Sequence, residues 1–168
     1  MQQIENQVPS FSYDLLSILR CTTCRASLEK RSANQYRCTV CGREFPILRG
    51  VSRFVKTNNS ADSFSYQWQK YSKTQLDHAG KVWSEPDFRR KTGLHPENLK
   101  GKLVLDVGCG MGRFAEVATR WGARVVGIDL STAAEVAARN LADRDFVALQ
   151  ADVFELPLHP RVLIAFTA

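Results

Sequence analysis

Two groups of residues in this sequence have types and spacings that do chemistry. The first is a pair of CxxC motifs, Cys21-Thr-Thr-Cys24 and Cys38-Thr-Val-Cys41, separated by thirteen residues. Each CxxC can turn two sulfurs onto one metal ion, and two such knuckles complete the tetrahedral S₄ shell that Zn²⁺ favours. No histidine or carboxylate is needed to fill the shell, so the site is closed and structural. Disulfides are the alternative, although nothing in the sequence indicates an oxidising compartment. The second group is the stretch from Leu103 to Gly112, LVLDVGCGMG, in which an apolar run ends at Asp106 and glycines alternate at Gly108, Gly110 and Gly112. Glycine permits unusual dihedrals and places no Cβ between backbone and ligand, and amides at the start of a following helix can meet a polar group. The spacing is GxGxG, whereas pyrophosphate binders carry GxGxxG. Asp106, two positions before the first glycine, would repel a phosphate and welcome an ammonium group.

Positioning these residues requires a strand, a turn and a helix in that order. Leu103–Asp106 reads as a buried parallel strand, and Phe114, Val117, Ala118 and Trp121 recur at helical spacing until Gly122 ends the helix. Arg124–Asp129 reads as a second strand, with Asp129 at its carboxyl end placed to accept both hydroxyls of a ribose. Ser131 can cap an alanine-rich helix ending near Leu141, and Phe146–Leu149 is a third strand followed by Gln150-Ala-Asp152. Upstream, Ser84 with Glu85, Pro86 and Asp87 makes a helix start and Gly93 a stop, with Phe88 and Leu94 docking that helix on the main unit.

Around the cysteines, Ala26–Arg37 has hairpin character with a turn at Ser32-Ala-Asn34, and Gly42 suits a tight turn after the second knuckle. Phe45, Ile47, Val51, Phe54 and Val55 would supply a core too small to fold without the metal. Before it, Ile4, Val8, Phe11, Leu15, Leu16, Ile18 and Leu19 form a strap over this module, with Ser12 or Asp14 capping a short helix or turn. Lys56–Asp62 reads as a linker, and the next stretch is aromatic at Phe64, Tyr66, Trp68 and Tyr71, residues that would pack the join between modules.

The formal charge of +6 is concentrated: Arg20 to Lys56 holds nine Lys or Arg against Glu29 and Glu44, an excess of +7. A basic module can approach RNA or another polyanion, although a solvated face is the plainer reading, and four thiolates on one Zn²⁺ would remove two units. The N-terminus lacks the pattern of a secretory signal and no apolar run is long enough to span a bilayer, so a cytoplasmic protein with no membrane partner is expected. His78, His95 and His159 each stand alone, and no catalytic base is assigned.

LVLDVGCGMG, VVGIDLS and LQADVFELP resemble motifs I, II and III of class I S-adenosylmethionine-dependent methyltransferases, in order and at fitting separations. Tyr36–Val55 resembles the short zinc ribbons ahead of some bacterial methyltransferase domains, and FSYQWQKY resembles the aromatic segment that precedes the cofactor domain there and can lie over the cofactor as a lid. The resemblance implies an α/β fold, a partial Rossmann-like sheet of three strands with a fourth available, preceded by the ribbon. It divides the chain into a strap and ribbon at 1–57 and a partial methyltransferase domain at 58–168. It implies that Asp106, Gly108, Cys109, Gly110, Asp129, Leu130, Asp152 and Val153 hold S-adenosylmethionine, Asp152 accepting from the adenine amino group and the Val153 amide meeting the ring, while Cys21, Cys24, Cys38 and Cys41 hold Zn²⁺. The expected function is methyl transfer to a small-molecule acceptor, or the cofactor-binding half of such an enzyme. A zinc-ribbon RNA methyltransferase and a non-catalytic cofactor- or partner-binding protein are the alternatives.

After Leu158 the resemblance stops. Val162–Phe166 can form one strand but does not match the family's fourth, and the remaining strands do not follow, so a truncated domain is expected. Right-handed crossovers in a 3-2-1 strand order put both helices on one face. The other face and the edge beside strand 1 are then predicted bare, needing a partner or oligomer to cover them. Such a chain would bind dye, aggregate, hold cofactor poorly and turn over no acceptor.

Overall fold

The computed structural model describes residues 12–55, 77, 83–159 and 164–167. Asp14 opens a single helical turn, α1 (Leu15–Ile18), its carboxylate accepting from the Leu16 amide at 3.2 Å. The ribbon follows as β1 (Leu28–Ser32), β2 (Gln35–Cys38), β3 (Glu44–Leu48) and β4 (Val51–Arg53). Next come α2 (Ser84–Thr92), stopped by Gly93 in the left-handed conformation, and a short helix that the sequence pattern does not announce, α3 (Pro96–Leu99). The remainder is β5 (Leu103–Val107), α4 (Arg113–Arg120), β6 (Arg124–Asp129), α5 (Ala133–Asn140), β7 (Phe146–Gln150), a 3₁₀ turn at Val153–Glu155 and β8 (Ile164–Thr167).

These strands make one sheet in the order β1-β2-β3-β4-β7-β6-β5-β8. The ribbon hairpins are antiparallel, and β4 then pairs in parallel with β7, Arg53 opposite Gln150. The parallel block β7-β6-β5 has the expected 3-2-1 order of an α/β Rossmann-like sheet. Alternation along its strands sorts the core. Val104, Val125, Phe146 and Ala148 pack under Phe114, Val117, Ala118, Ala134, Ala137 and Leu141 of the two helices and their ends. Position 127 lies on that same face and is glycine, since a Cβ there would come within 2.7 Å of the Phe146 ring. Phe88 of α2 docks as predicted, its ring 5.4 Å from Phe114 and 5.3 Å from Trp121.

Among the described residues the face predicted bare is covered, and the edge of β5 is paired. Leu105, Val126, Ile128, Val147 and Leu149 are buried in a second cluster with Ile18, Leu19, Phe45, Phe54 and Leu158, and Tyr13, Leu15 and Leu16 pack against it. The strap therefore covers the main sheet as well as the ribbon. It is pinned there by Arg20 N donating to Pro157 O and His159 N to Ile18 O, both at 2.8 Å. The edge beside β5 is closed by β8, in register from Val104–Ile164 to Val107–Thr167, which reaches one residue past the predicted end at Phe166. On that face the strap stands where the sequence anticipated a covering partner. The ribbon core is also smaller than expected, since Val51 belongs to the cluster beneath α4 and α5. The aromatic segment Phe64–Tyr71, the linker at 56–62, the residues Ile4, Val8 and Phe11, and His78 lie outside the described residues. Among the described residues no helix is long and apolar enough to cross a membrane.

Candidate functional site

The four cysteines converge, their sulfurs all within 4.8 Å of one another. Cys21 Sγ lies 3.6 Å from Cys41 Sγ and Cys24 Sγ 3.4 Å from Cys38 Sγ, so the contacts run between knuckles. A disulfide would need about 2.0 Å, whereas four sulfurs about 2.3 Å from a central Zn²⁺ stand roughly 3.8 Å apart. The Thr23 amide points at Cys21 Sγ and the Cys41 amide at Cys38 Sγ, each at 3.4 Å, the donors a thiolate requires. Burial raises the Cys38 thiol, but the Val40 and Cys41 amides and the neighbouring thiols outweigh it and bring it down to about 6. These residues fit a tetrahedral metal.

The second site is built at the carboxyl ends of β5, β6 and β7. Gly108, Gly110 and Gly112 all take positive φ, and a Cβ on Gly112 would meet Leu141 Cδ1 at 2.8 Å, so the turn needs glycine for conformation and for packing alike. Cys109 N donates to Ile128 O at 2.9 Å, and Gly110 N to Asp129 Oδ2 at 3.0 Å, tying the loop to β6. Asp129 Oδ1 accepts from the Ser131 amide at 2.8 Å and its hydroxyl at 2.7 Å, and Ser131 Oγ in turn accepts from the amide of Ala133, the first residue of α5, whose cap position is Thr132. Asp152 Oδ1 accepts from Phe154 N at 2.9 Å, opening the 3₁₀ turn. Leu130 and Val153, in the turns after adjacent strands, are 42% and 45% exposed, two aliphatic side chains that a flat ring would cover.

Asp106 differs from the other two carboxylates. It is 1% exposed, and neither oxygen has a hydrogen-bond partner. It sits on the helix-covered face between Gly127 and Phe166. Burial pushes its carboxyl up to about 7, opposed by the Ala115 amide, which lies close by but outside hydrogen-bonding geometry, and aided by the charge of Asp129. A cationic group arriving at the glycine loop would give it a partner. Cys109 is buried too, and burial with the charges of Asp106 and Asp129 lifts its thiol well above the ordinary range, which disfavours the thiolate.

Sequence reasoning missed the side chains that fix these turns. Arg53 of the ribbon donates to Gln150 Oε1 and Glu135 Oε1, and Gln150 Nε2 reaches Leu130 O at 2.9 Å. Arg25, in the first knuckle, donates to Leu156 O and, at 2.6 Å, to Leu158 O. Arg113 joins the glycine loop to α2 through Ser84 Oγ at 3.1 Å and Asp87 at 3.2 Å. Asp77 caps α2 by accepting from the Trp83 and Ser84 amides at 3.1 Å. Arg53, Arg25, Arg113 and Asp77 are charged residues of a kind that sequence leaves on the surface, and only tertiary pairing singles them out.

Residues 105–162 match the family described as a methyltransferase domain. The ribosomal protein L11 methyltransferase of Vibrio campbellii is 38% identical over 96 residues, 50% of this chain and 32% of that protein. That of Tolumonas auensis is 36% identical over 85 residues, 44% and 29%. The chain thus spans about a third of the length of the curated relatives it matches. Among solved structures, the Trypanosoma brucei PRMT1 enzyme-prozyme complex with AdoHcy is 34% identical at a TM-score of 0.44, covering 49% of this chain and 28% of that one. Phosphoethanolamine N-methyltransferase 1 of Haemonchus contortus, with phosphoethanolamine and S-adenosylhomocysteine, is 25% identical at 0.44, covering 62% and 24%. At these scores the likeness says nothing about acceptor or assembly.

Proposed function

We propose that the chain, whose residues 105–162 match a methyltransferase-domain family, binds S-adenosylmethionine in the class I manner across the carboxyl ends of β5, β6 and β7 and serves methyl transfer. The observation that carries this reading is the buried, unpartnered carboxylate of Asp106 beside the glycine loop, for which the α-ammonium of the cofactor's methionine end is the missing counterion. Gly108, Cys109 and Gly110 would meet that end through backbone. A carboxylate offers about four lone-pair sites. Asp129 uses three, on Gly110 N and Ser131 N and Oγ, so a ribose takes the fourth and displaces one of these. Leu130 and Val153 flank the adenine, Asp152 accepts from its amino group on the oxygen left open by Phe154, and the Val153 amide meets the ring.

The cofactor brings an activated methyl group, so alignment and exclusion of water do much of the work, and no catalytic base is assigned. Cys21, Cys24, Cys38 and Cys41 would hold one structural Zn²⁺. In this reading residues 1–57 are the strap and ribbon and 58–168 the cofactor unit, with β4 as the seam. For the acceptor, relatives named for a ribosomal protein favour a protein over the small molecule expected from the sequence.

Titration calorimetry with S-adenosylhomocysteine tests the assignment. Asp129→Ala is expected to lose about 1.5–3 kcal/mol of binding free energy, the worth of hydrogen bonds to a charged group, and Asp152→Ala less. Equal affinities for the wild type and Asp129→Ala would remove the ribose assignment.

A further inference from the structure

We propose that Arg53, a residue of the ribbon, is a positioning residue for the adenine end of the cofactor site. The proposal rests on the cofactor reading above. Arg53 closes β4 opposite Gln150, the last residue of β7, and Phe54 N donates to Gln150 O at 2.8 Å. Its guanidinium forks, one arm to Gln150 Oε1 and the other to Glu135 Oε1 on α5. With its carbonyl oxygen engaged, the Gln150 amide is turned so that Nε2 donates to Leu130 O at 2.9 Å. Gln150 stands two residues before Asp152, and Leu130 follows Asp129. The turn assigned to ribose and the turn assigned to adenine are therefore tied together by one side chain, and the ribbon orients it.

The pairing is buried, with the Arg53 side chain 10% exposed and Glu135 5%, and Arg49 holds the second Glu135 oxygen at 2.9 Å. A buried ion pair adds little net stability over an apolar pair of the same size, but a planar fork fixes orientation in a way a flexible cation does not. The backbone ladder ends at Asp129–Gln150, with one further bond from Ala151 N to Asp129 O at 3.0 Å. The link to Leu130 O reaches one residue past that end, where the proposed adenine contact lies.

The test is calorimetry on the full zinc-loaded chain with S-adenosylhomocysteine and with S-inosylhomocysteine, in which the exocyclic amine is replaced by oxygen. Arg53→Met is expected to weaken the adenosyl ligand about tenfold, within the range of ordinary coupling between sites, and the inosyl ligand much less, so that the preference for adenine shrinks. Gln150→Met, which keeps volume and loses the amide, is expected to do the same, and it decides the matter if Arg53→Met does not fold. Arg53→Lys is expected to restore little, because it cannot fork. Unchanged affinity in a folded variant, or an equal loss for both ligands, overturns the positioning role. A wild-type chain that binds neither ligand overturns the cofactor reading itself.

Discussion

Burial lifts Asp106 from an ordinary carboxyl value of 3.8 to about 7, with Asp129 adding to the rise, and this has opposite consequences for folding and for binding. The unfolded chain loses the proton near pH 4 and the folded chain holds it to about 7, so stability falls as pH rises through that window. Above it the buried carboxylate costs the fold about 4 kcal/mol, the free energy of proton binding accumulated between those two pH values. Asp106→Asn removes the titration. Its melting temperature should exceed that of the wild type by a margin that grows from pH 5 to pH 8, reaching several degrees, and a constant margin would show that the carboxyl titrates normally. The same substitution removes the proposed partner of the cofactor's ammonium, so S-adenosylhomocysteine binding should weaken as the fold strengthens. In the wild type, affinity should climb as pH rises through about 7, where the carboxylate forms, while the ligand's ammonium, beside its own carboxylate, stays protonated across that range. An affinity flat across that range would dissociate Asp106 from the ligand. The acidic residue and its spacing from the glycines were legible in the chain. That it has no partner was not, because a missing hydrogen bond depends on what Gly127 and Phe166 bring alongside.

Elements whose limits are set locally were legible. Arg124–Asp129 is a strand over those same residues, and the helix that opens at Ser84 stops at Gly93, as its residues dictate. What periodicity states is that a side chain is buried, and it leaves open against what. Leu15, Leu16, Ile18 and Leu19 read in sequence as a cover for the ribbon, which leaves the sheet face they also cover looking bare. Val51 likewise reads as ribbon core, although β4 pairs with β7 and sends it beneath the helices. The strap's contribution can be measured. Leu19 is fully buried and bridges to Leu158, so Leu19→Ala should cost about 2–5 kcal/mol in urea unfolding, as large-to-small core changes do. The native chain should bind little hydrophobic dye while Leu19→Asp binds much. Strong dye binding by the native chain would mean that the strap does not cover the sheet in solution.

At the scale of the whole molecule, one sheet runs from the cysteine knuckles to the far edge, and this would make a metal on the four cysteines a support for the proposed cofactor half. Structural zinc in small modules contributes on the order of 10–16 kcal/mol, more than a ribbon of this size can replace by burial. When a chelator takes the ion, β1 to β4 lose the tether that closes their hairpins. With β4 goes the strand zipped to β7 at Leu149 and Gln150, and with the first knuckle go the bonds from Arg25 to Leu156 and Leu158. Amide exchange should therefore accelerate from Leu28 to Phe54 on chelation and, to a smaller degree, from Gln150 to Leu158, where the tethers attach. The β5–β6 ladder and α4, which touch the ribbon through neither, should keep their protection. Restoring Zn²⁺ should reverse both effects. Full protection of the ribbon after complete metal removal would show that the four sulfurs hold no structural ion. Equal loss throughout would show that the two halves fold as a single cooperative unit whose stability the metal sets.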